Sequence, residues 1–260
     1  MTYQFTKKQV YVNDHSICYL EGGIASSAAP ILFLHGWAVG TAPYQEFLNI
    51  LCQRYKIIAP VLPGFGKSSR ANLNWDYNEY ANFILDLLHT LNLKKVHIIG
   101  HSLGGGIAAT IAVLRPSIIQ SIVLVDSTGI PVKPVAKVFF KRAIEMTAQA
   151  PQIKFPQIIQ IFKGFSYNFL FRNQNTIQAL LLSLKKDLKP LLPKIQSPCL
   201  LVWGANDLTT PLSAAQEFAQ SITGSKLVVV SGVYHEWIIF FVEKVTSIIF
   251  EFIEEIEAGK

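Results

Sequence analysis

Eleven residues constrain this chain more than any others: Val96-His97-Ile98-Ile99-Gly100-His101-Ser102-Leu103-Gly104-Gly105-Gly106. A β-branched run that reads as a strand meets Gly-His-Ser-Leu-Gly and passes straight into Ile107–Leu114, an Ala/Ile stretch that reads as a buried helix. The spacing predicts a sharp strand-to-helix turn with Ser102 at its apex. A turn that tight strains the apical backbone and leaves no room for a Cβ two residues before or after it. Gly100 and Gly104 stand at those two places. The turn lifts the Ser102 hydroxyl above the sheet, beside the first N–H groups of the following helix, where a developing oxyanion can be held.

On these residues the chain resembles the α/β-hydrolase superfamily, and the later motifs extend the likeness over nearly its whole length. The resemblance implies a serine hydrolase with Ser102 as nucleophile. Branches that carry Asp at this turn, such as haloalkane dehalogenases and epoxide hydrolases, are disfavoured by the serine.

Periodicity lays out the rest. Gln9–Val12 and Ser16–Leu20 read as a leading hairpin at a sheet edge, turning at Asn13-Asp14. Ile31–Leu34, Tyr55–Val61, Ile122–Val125, Cys199–Trp203 and Lys226–Val230 are further strands, and Asn78–Leu91 is a helix with an apolar stripe at 80, 83, 84, 87, 88 and 91. Strands alternating with helices predict an α/β fold with a mostly parallel, doubly wound eight-stranded sheet and chemistry at the strands' carboxyl ends. Residues 130–195 break the pattern with prolines and helical spacings only. They resemble the helical cap that the superfamily inserts after strand 6, leaving 1–129 and 196–260 as the core. Val135, Val138, Phe139 and Met146 are expected on one cap face with Lys137, Lys141 and Arg142 on another, and Ile158, Ile161, Phe162 and Phe165 repeat at helical spacing. Such faces suit an apolar pocket roof, although packing onto the main domain accounts for most of them.

His35-Gly36-Trp37 leaves the Ile31–Leu34 strand and resembles the superfamily's oxyanion loop, which implies that the backbone N–H groups of Trp37 and Leu103 form the oxyanion hole. His35 is expected to hold its own loop. The Trp37 indole, with Phe139 and Phe162 from the cap, is a candidate wall for the substrate. The superfamily usually has an aspartate where Val61 stands, so one structural hydrogen bond is missing here.

Serine needs a base, and the base needs an orienting carboxylate. The order Ser102, Asp207, His235 is the one the fold implies. His235 follows the last strand, whereas His15, His89 and His97 lie in a hairpin, a helix and the Ser102 strand, and His101 points away from the hydroxyl. Gly204-Ala205-Asn206-Asp207, followed by Pro211, matches the superfamily's usual acid loop. Asp126, after the sixth strand, is the alternative acid, or an anchor for the cap entry. Glu236 reads as a solvated neighbour or a helix N-terminal charge. No metal or organic cofactor is needed for this chemistry.

Half of the 260 residues are hydrophobic and 15% are charged, which excludes a disordered chain. The N-terminus lacks the apolar core of a signal peptide, and the longest apolar run, Trp237–Phe252, is interrupted by Glu243 and Lys244. It reads as an amphipathic closing helix. Cys18, Cys52 and Cys199 lie scattered in apolar runs and read as buried free thiols in a reducing, cytoplasmic setting, with neither metal spacing nor a disulfide framework. The net charge of +6 is unevenly spread: between Ile130 and Ile195 eleven basic residues face Glu145 and Asp187, leaving +9 there and −3 elsewhere. An electrostatic partner is therefore expected at the cap. The basic cap and His-Gly-Trp together resemble carboxylesterases that demethylate pimeloyl groups on acyl carrier protein, an acidic partner. An anionic membrane surface suits the same charges, as does plain solvation. No nucleic-acid partner is expected. C–C bond hydrolases, perhydrolases and hydrolase-fold small-molecule receptors share the triad; the first usually has asparagine where His101 stands.

Overall fold

The computed structural model describes residues 5–24, 28–132, 135–149, 151 and 153–259, with residues 135–137 and 139 described by their backbone alone. β1 (Thr6–Val12) and β2 (His15–Gly22) form the leading hairpin, and its turn residues Asn13 and Asp14 both have positive φ (43° and 61°), as a two-residue hairpin turn demands. β3 (Ile31–Leu34), β4 (Ile57–Pro60), β5 (Val96–His101), β6 (Ile119–Val125), β7 (Cys199–Gly204) and β8 (Lys226–Val230) follow. They assemble in the order β1-β2-β4-β3-β5-β6-β7-β8, with β2 antiparallel to both neighbours and all later pairings parallel.

Alternate residues of each strand feed opposite layers, which is why the central strands read as unbroken apolar runs. Leu32, Ile98, Leu124 and Leu201 pack against Tyr77, Ile84, Ile107, Ile111 and Phe218 from α2 (Tyr77–Thr90), α3 (Leu103–Leu114) and α7 (Leu212–Ser221). Phe33, Ile99, Val123 and Val202 pack the other way, against Phe47, Leu51, Trp237 and Ile249 from α1 (Gln45–Leu51), α8 (Trp237–Phe240) and α9 (Val242–Glu257). The apolar stripe expected of α2 is buried at Tyr80, Phe83, Ile84, Leu87 and Leu88. Asp76 and Glu79 close a reciprocal cap at its start. The closing helix is two helices, because the backbone leaves helical geometry at Phe241 (φ −115°, ψ 54°).

Between β6 and β7 run α4 (Val135–Gln149), α5 (Phe155–Phe171) and α6 (Asn173–Lys185), with no strand among the described residues of that stretch. The parallel register places Leu34 beside Gly100, His101 beside Val125 and Val125 beside Val202. The loops bearing Trp37, Ser102, Asp126 and Asp207 therefore leave one edge of the sheet together. No described helix is long and apolar enough to cross a membrane.

Candidate active site

Ser102 adopts φ 52° and ψ −116°, the strained left-handed turn that the sequence requires at this point. A Cβ on Gly100 would lie 2.4 Å from the Gly104 carbonyl oxygen, and one on Gly104 would lie 2.1 Å from that of Leu34. No other residue fits either place. The Ser102 carbonyl accepts the amide of Gly105 (2.9 Å) within the turn and that of Thr128 (3.1 Å) from the loop after β6.

The three predicted triad residues meet. Ser102 Oγ lies 3.0 Å from His235 Nε2, and His235 Nδ1 lies 2.8 Å from Asp207 Oδ2. All three are buried. Asp207 is acceptor-saturated: its Oδ1 takes the amides of Thr209 (2.8 Å) and Thr210 (2.7 Å), and its Oδ2 takes the Thr210 hydroxyl (2.6 Å). With only acceptors facing it on Asp207, His235 Nδ1 must carry the ring proton, which leaves the Nε2 lone pair for the serine. Burial alone would raise the Asp207 pKa, but the neighbouring His235 and the hydrogen bonds from His235 and Thr210 hold it below the ordinary carboxylate value.

Asp126 is the other acid, and its atoms are occupied elsewhere. Oδ1 accepts the Gly204 amide (2.8 Å) and Oδ2 accepts the Trp237 indole N–H (2.7 Å), pinning the end of β7 and the start of α8. Burial and the Asp207 charge push Asp126 well above the carboxylate range. The two acids therefore divide: Asp207 keeps the charge facing His235, and Asp126 acts as a structural clasp. Asp126, Asp207 and His235 bring one ligating atom each within 4.8 Å, but a cation there would have to displace the Gly204 and Trp237 donors and break the His235–Asp207 bond.

His35 holds its own loop, as expected. Its Nε2 accepts the Leu62 amide (3.0 Å), so its Nδ1–H donates to the Gly36 carbonyl (2.7 Å). Burial lowers its pKa to about 4. At Val61, the Ser68 hydroxyl donates to the Val61 carbonyl (2.7 Å) and accepts the Cys18 amide (3.1 Å). Neither the Trp37 nor the Leu103 amide donates a hydrogen bond among the described residues.

Helices α5 and α6 grip the same loop. The Trp37 indole donates to the Thr176 carbonyl (2.7 Å), Asn168 Nδ2 donates to the Ala38 carbonyl (2.8 Å), and Trp37 meets Phe165 and Phe169 edge to face at 5.8 and 6.0 Å. Among the described residues, the aromatic neighbours of Trp37 are Phe165 and Phe169. Phe162, expected beside it, points outward and is 69% exposed, and the Phe139 side chain lies outside the described residues.

Several participants were not singled out from the sequence. Arg142, expected with Lys137 and Lys141 on one face of α4 and given no part in the site, pairs with Glu236, which is therefore no free neighbour of His235. Glu145 is fully buried, accepting the Leu208 amide (2.5 Å) and the Thr209 hydroxyl (2.6 Å) of the acid loop. Tyr44 reaches His101 behind the serine turn. Only Thr210, three residues after Asp207, had a local signal, since a hydroxyl there can bond back to the carboxylate. A cleft of about 670 Å³ between α1 and α9, lined by Ile50, Arg54, Phe250 and Glu254 among others, holds none of the triad. Its Arg54 is already paired with Glu254 and stacked on Phe250.

Known proteins resemble the chain as follows. The sequence pattern of the family described as alpha/beta hydrolase fold matches residues 29–176. An uncharacterised protein of Mycobacterium tuberculosis is 35% identical over 127 residues, 49% of this chain and 37% of that protein, so the chain spans little more than a third of that relative. The uncharacterised hydrolase YugF of Bacillus subtilis is 24% identical over 217 residues, 76% of this chain and 80% of that one. An esterase from Exiguobacterium antarcticum superposes with a TM-score of 0.78 at 22% identity, covering 96% of this chain and 100% of the esterase. At that identity the likeness speaks for the fold.

Proposed function

The chain belongs to the α/β-hydrolase fold family, and on that premise we propose that it is a serine hydrolase cleaving carboxylic esters of apolar substrates through an acyl-enzyme. The observation that carries this reading is the unbroken relay from Ser102 Oγ through both ring nitrogens of His235 to Asp207, at 3.0 and 2.8 Å.

In this reading the Ser102 hydroxyl gives its proton to His235 Nε2 as Oγ attacks the ester carbonyl. The amides of Trp37 and Leu103 receive the oxyanion, each such donor being worth about 10²–10³ in rate. The tetrahedral intermediate collapses, the C–O bond to the alcohol breaks, and Nε2–H protonates the departing oxygen. Water then gives a proton to the same nitrogen, attacks the acyl-enzyme, and releases the acid with Ser102 restored. Asp207 holds the Nδ1–H tautomer and balances the imidazolium in both halves. The side chains of Trp37, Phe165 and Phe169 favour an apolar acyl group.

Hydrolysis of p-nitrophenyl esters of rising acyl length tests this. The expected result is turnover with a chain-length optimum, lost by a factor of at least about 10⁴ in Ser102→Ala. Retained turnover in that variant would overturn the assignment, and a single acylation burst without turnover would favour a receptor.

A further inference from the structure

The cap helices are packed with their polar sides inward. On α5, Gln157, Ile161, Gly164 and Asn168 fall within about 60° of the helix circumference. Gln157 donates to the Ile239 carbonyl (2.9 Å), Asn168 bonds the Ala38 carbonyl and the Gly66 amide (2.8 Å each), and Gly164 brings the backbone against the Val39 carbonyl, where a Cβ would sit at 2.6 Å. These contacts fix the helix's rotation. Its other side presents Phe155, Ile159, Phe162 and Leu170 to water, with Phe155 and Leu170 each 73% exposed. α4 repeats the inversion: Glu145 and Gln149 are buried while Phe140 is 70% and Ile144 45% exposed. Exposed apolar helix faces held outward by specific polar contacts signal a partner.

Charge selects the partner. The 130–195 stretch carries +9, of which Arg142, Lys154, Lys186 and Lys189 are paired with Glu236, Glu46, Asp76 and Glu217 outside it; among the described residues Lys163 on α5 and Lys141 on α4 have no ion-pair partner. Lys163 borders the apolar stripe, on the side of Ile159 and Leu170. Aromatic and aliphatic residues flanked by lysines are what a helix lying in the headgroup region of an anionic bilayer needs. A second copy of the chain would set this positive face against itself, and an acidic protein would answer the charges without needing the exposed Phe155, Leu170 and Phe140.

We propose that the outer faces of α4 and α5 form a docking surface for an anionic lipid bilayer. On α5 the apolar residues continue from Phe155 through Phe162 to Phe165 and Phe169, which meet Trp37, so an acyl chain leaving the bilayer has an apolar path toward Ser102. That path rests on the ester-hydrolase reading; the docking does not.

Cosedimentation of Ser102→Ala protein with vesicles separates the two. Binding is expected to vesicles of mixed phosphatidylglycerol and phosphatidylcholine, weaker by about tenfold or more on phosphatidylcholine alone or in high salt. The double variant Phe155→Ser/Leu170→Ser, and separately Phe140→Ser, should lose about tenfold or more of the anionic-vesicle binding, while keeping the parent's oligomeric state, unfolding at the parent temperature and hydrolysing a soluble short-chain ester at the parent rate when Ser102 is present. No binding to anionic vesicles, or equal binding by the variants, would overturn the proposal. So would a dimer dissociated by the same substitutions without vesicle binding, or saturable binding of an acidic carrier protein in place of vesicles.

Discussion

The Tyr44 phenol oxygen lies 2.7 Å from His101 Nδ1, directly behind the nucleophile. That oxygen also accepts the Gly36 amide (3.1 Å), so its own proton points to His101, and His101 Nε2–H in turn donates to the His235 carbonyl (3.0 Å). One relay thus ties the loop bearing Trp37, the turn bearing Ser102 and the loop bearing His235. Burial, reinforced by nearby His235, holds His101 down to about 3, which keeps this tautomer neutral through any assay range.

Tyr44→Phe removes the relay's central proton and leaves the ring's packing in place. The expected result is a kcat lower by about tenfold, with KM within about twofold, because small misplacements of positioned groups cost rate more than binding. An unchanged kcat would mean the three loops are held independently.

The two buried acids are separable by conservative change. Asp207→Asn should lower kcat by about 10⁴ through the wrong His235 tautomer. Asp126→Asn should act mainly on stability, by about 1–3 kcal/mol, since it sets an amide N–H against the donor of Gly204 or Trp237. Paired rate and denaturant measurements on both variants check the division of roles; a larger rate loss from Asp126→Asn would reverse it.

Glu145→Ala leaves the Leu208 amide and the Thr209 hydroxyl of the acid loop without their buried acceptor. A loss of about 2–3 kcal/mol is expected, with about half of it recovered by Glu145→Gln, which restores one acceptor. Equal unfolding midpoints for the three proteins in denaturant would show that the latch does not hold the loop.

Acid should unfold the protein early. His35 and His97 are each lowered to about 4, and His101 to about 3, by burial first of all. Between the ordinary histidine value and these, the unfolded chain binds three protons that the native one refuses, so stability falls as pH falls through that window. Asp126 works in the opposite direction, because burial and the Asp207 charge raise its pKa, but the three rings outnumber it, so the net slope is a loss of stability as pH falls. Denaturant titrations at intervals from neutral pH downward would show it, and a stability independent of pH there would contradict the burial of these rings.

The parts legible in the sequence were those governed by local constraint. Gly100, Ser102 and Gly104 are dictated by the geometry of one turn, and the central strands β3 to β7 by burial on both faces. The order that the resemblance implied brought His235 and Asp207 toward Ser102, because both follow strands whose ends the parallel register aligns. Residues that act by reaching across the fold carried no such signal. Tyr44 and His101 are 57 positions apart, and Arg142 and Glu236 are 94. Residues 130–195 misled in a specific way: a helical period marks an apolar stripe but not which side meets the protein. Gln157 and Asn168 satisfy backbone groups of the core, so the polar side turns in, leaving Met146 and Phe162 outside.

The most direct test of the central assignment is reaction of the folded protein with a fluorophosphonate, followed by intact mass and peptide mapping. One adduct on Ser102 is expected, absent in Ser102→Ala and slowed by orders of magnitude in His235→Ala, whose serine has lost its base. Labelling at another residue, or none on folded wild-type protein, would contradict the assignment of Ser102 as an activated nucleophile.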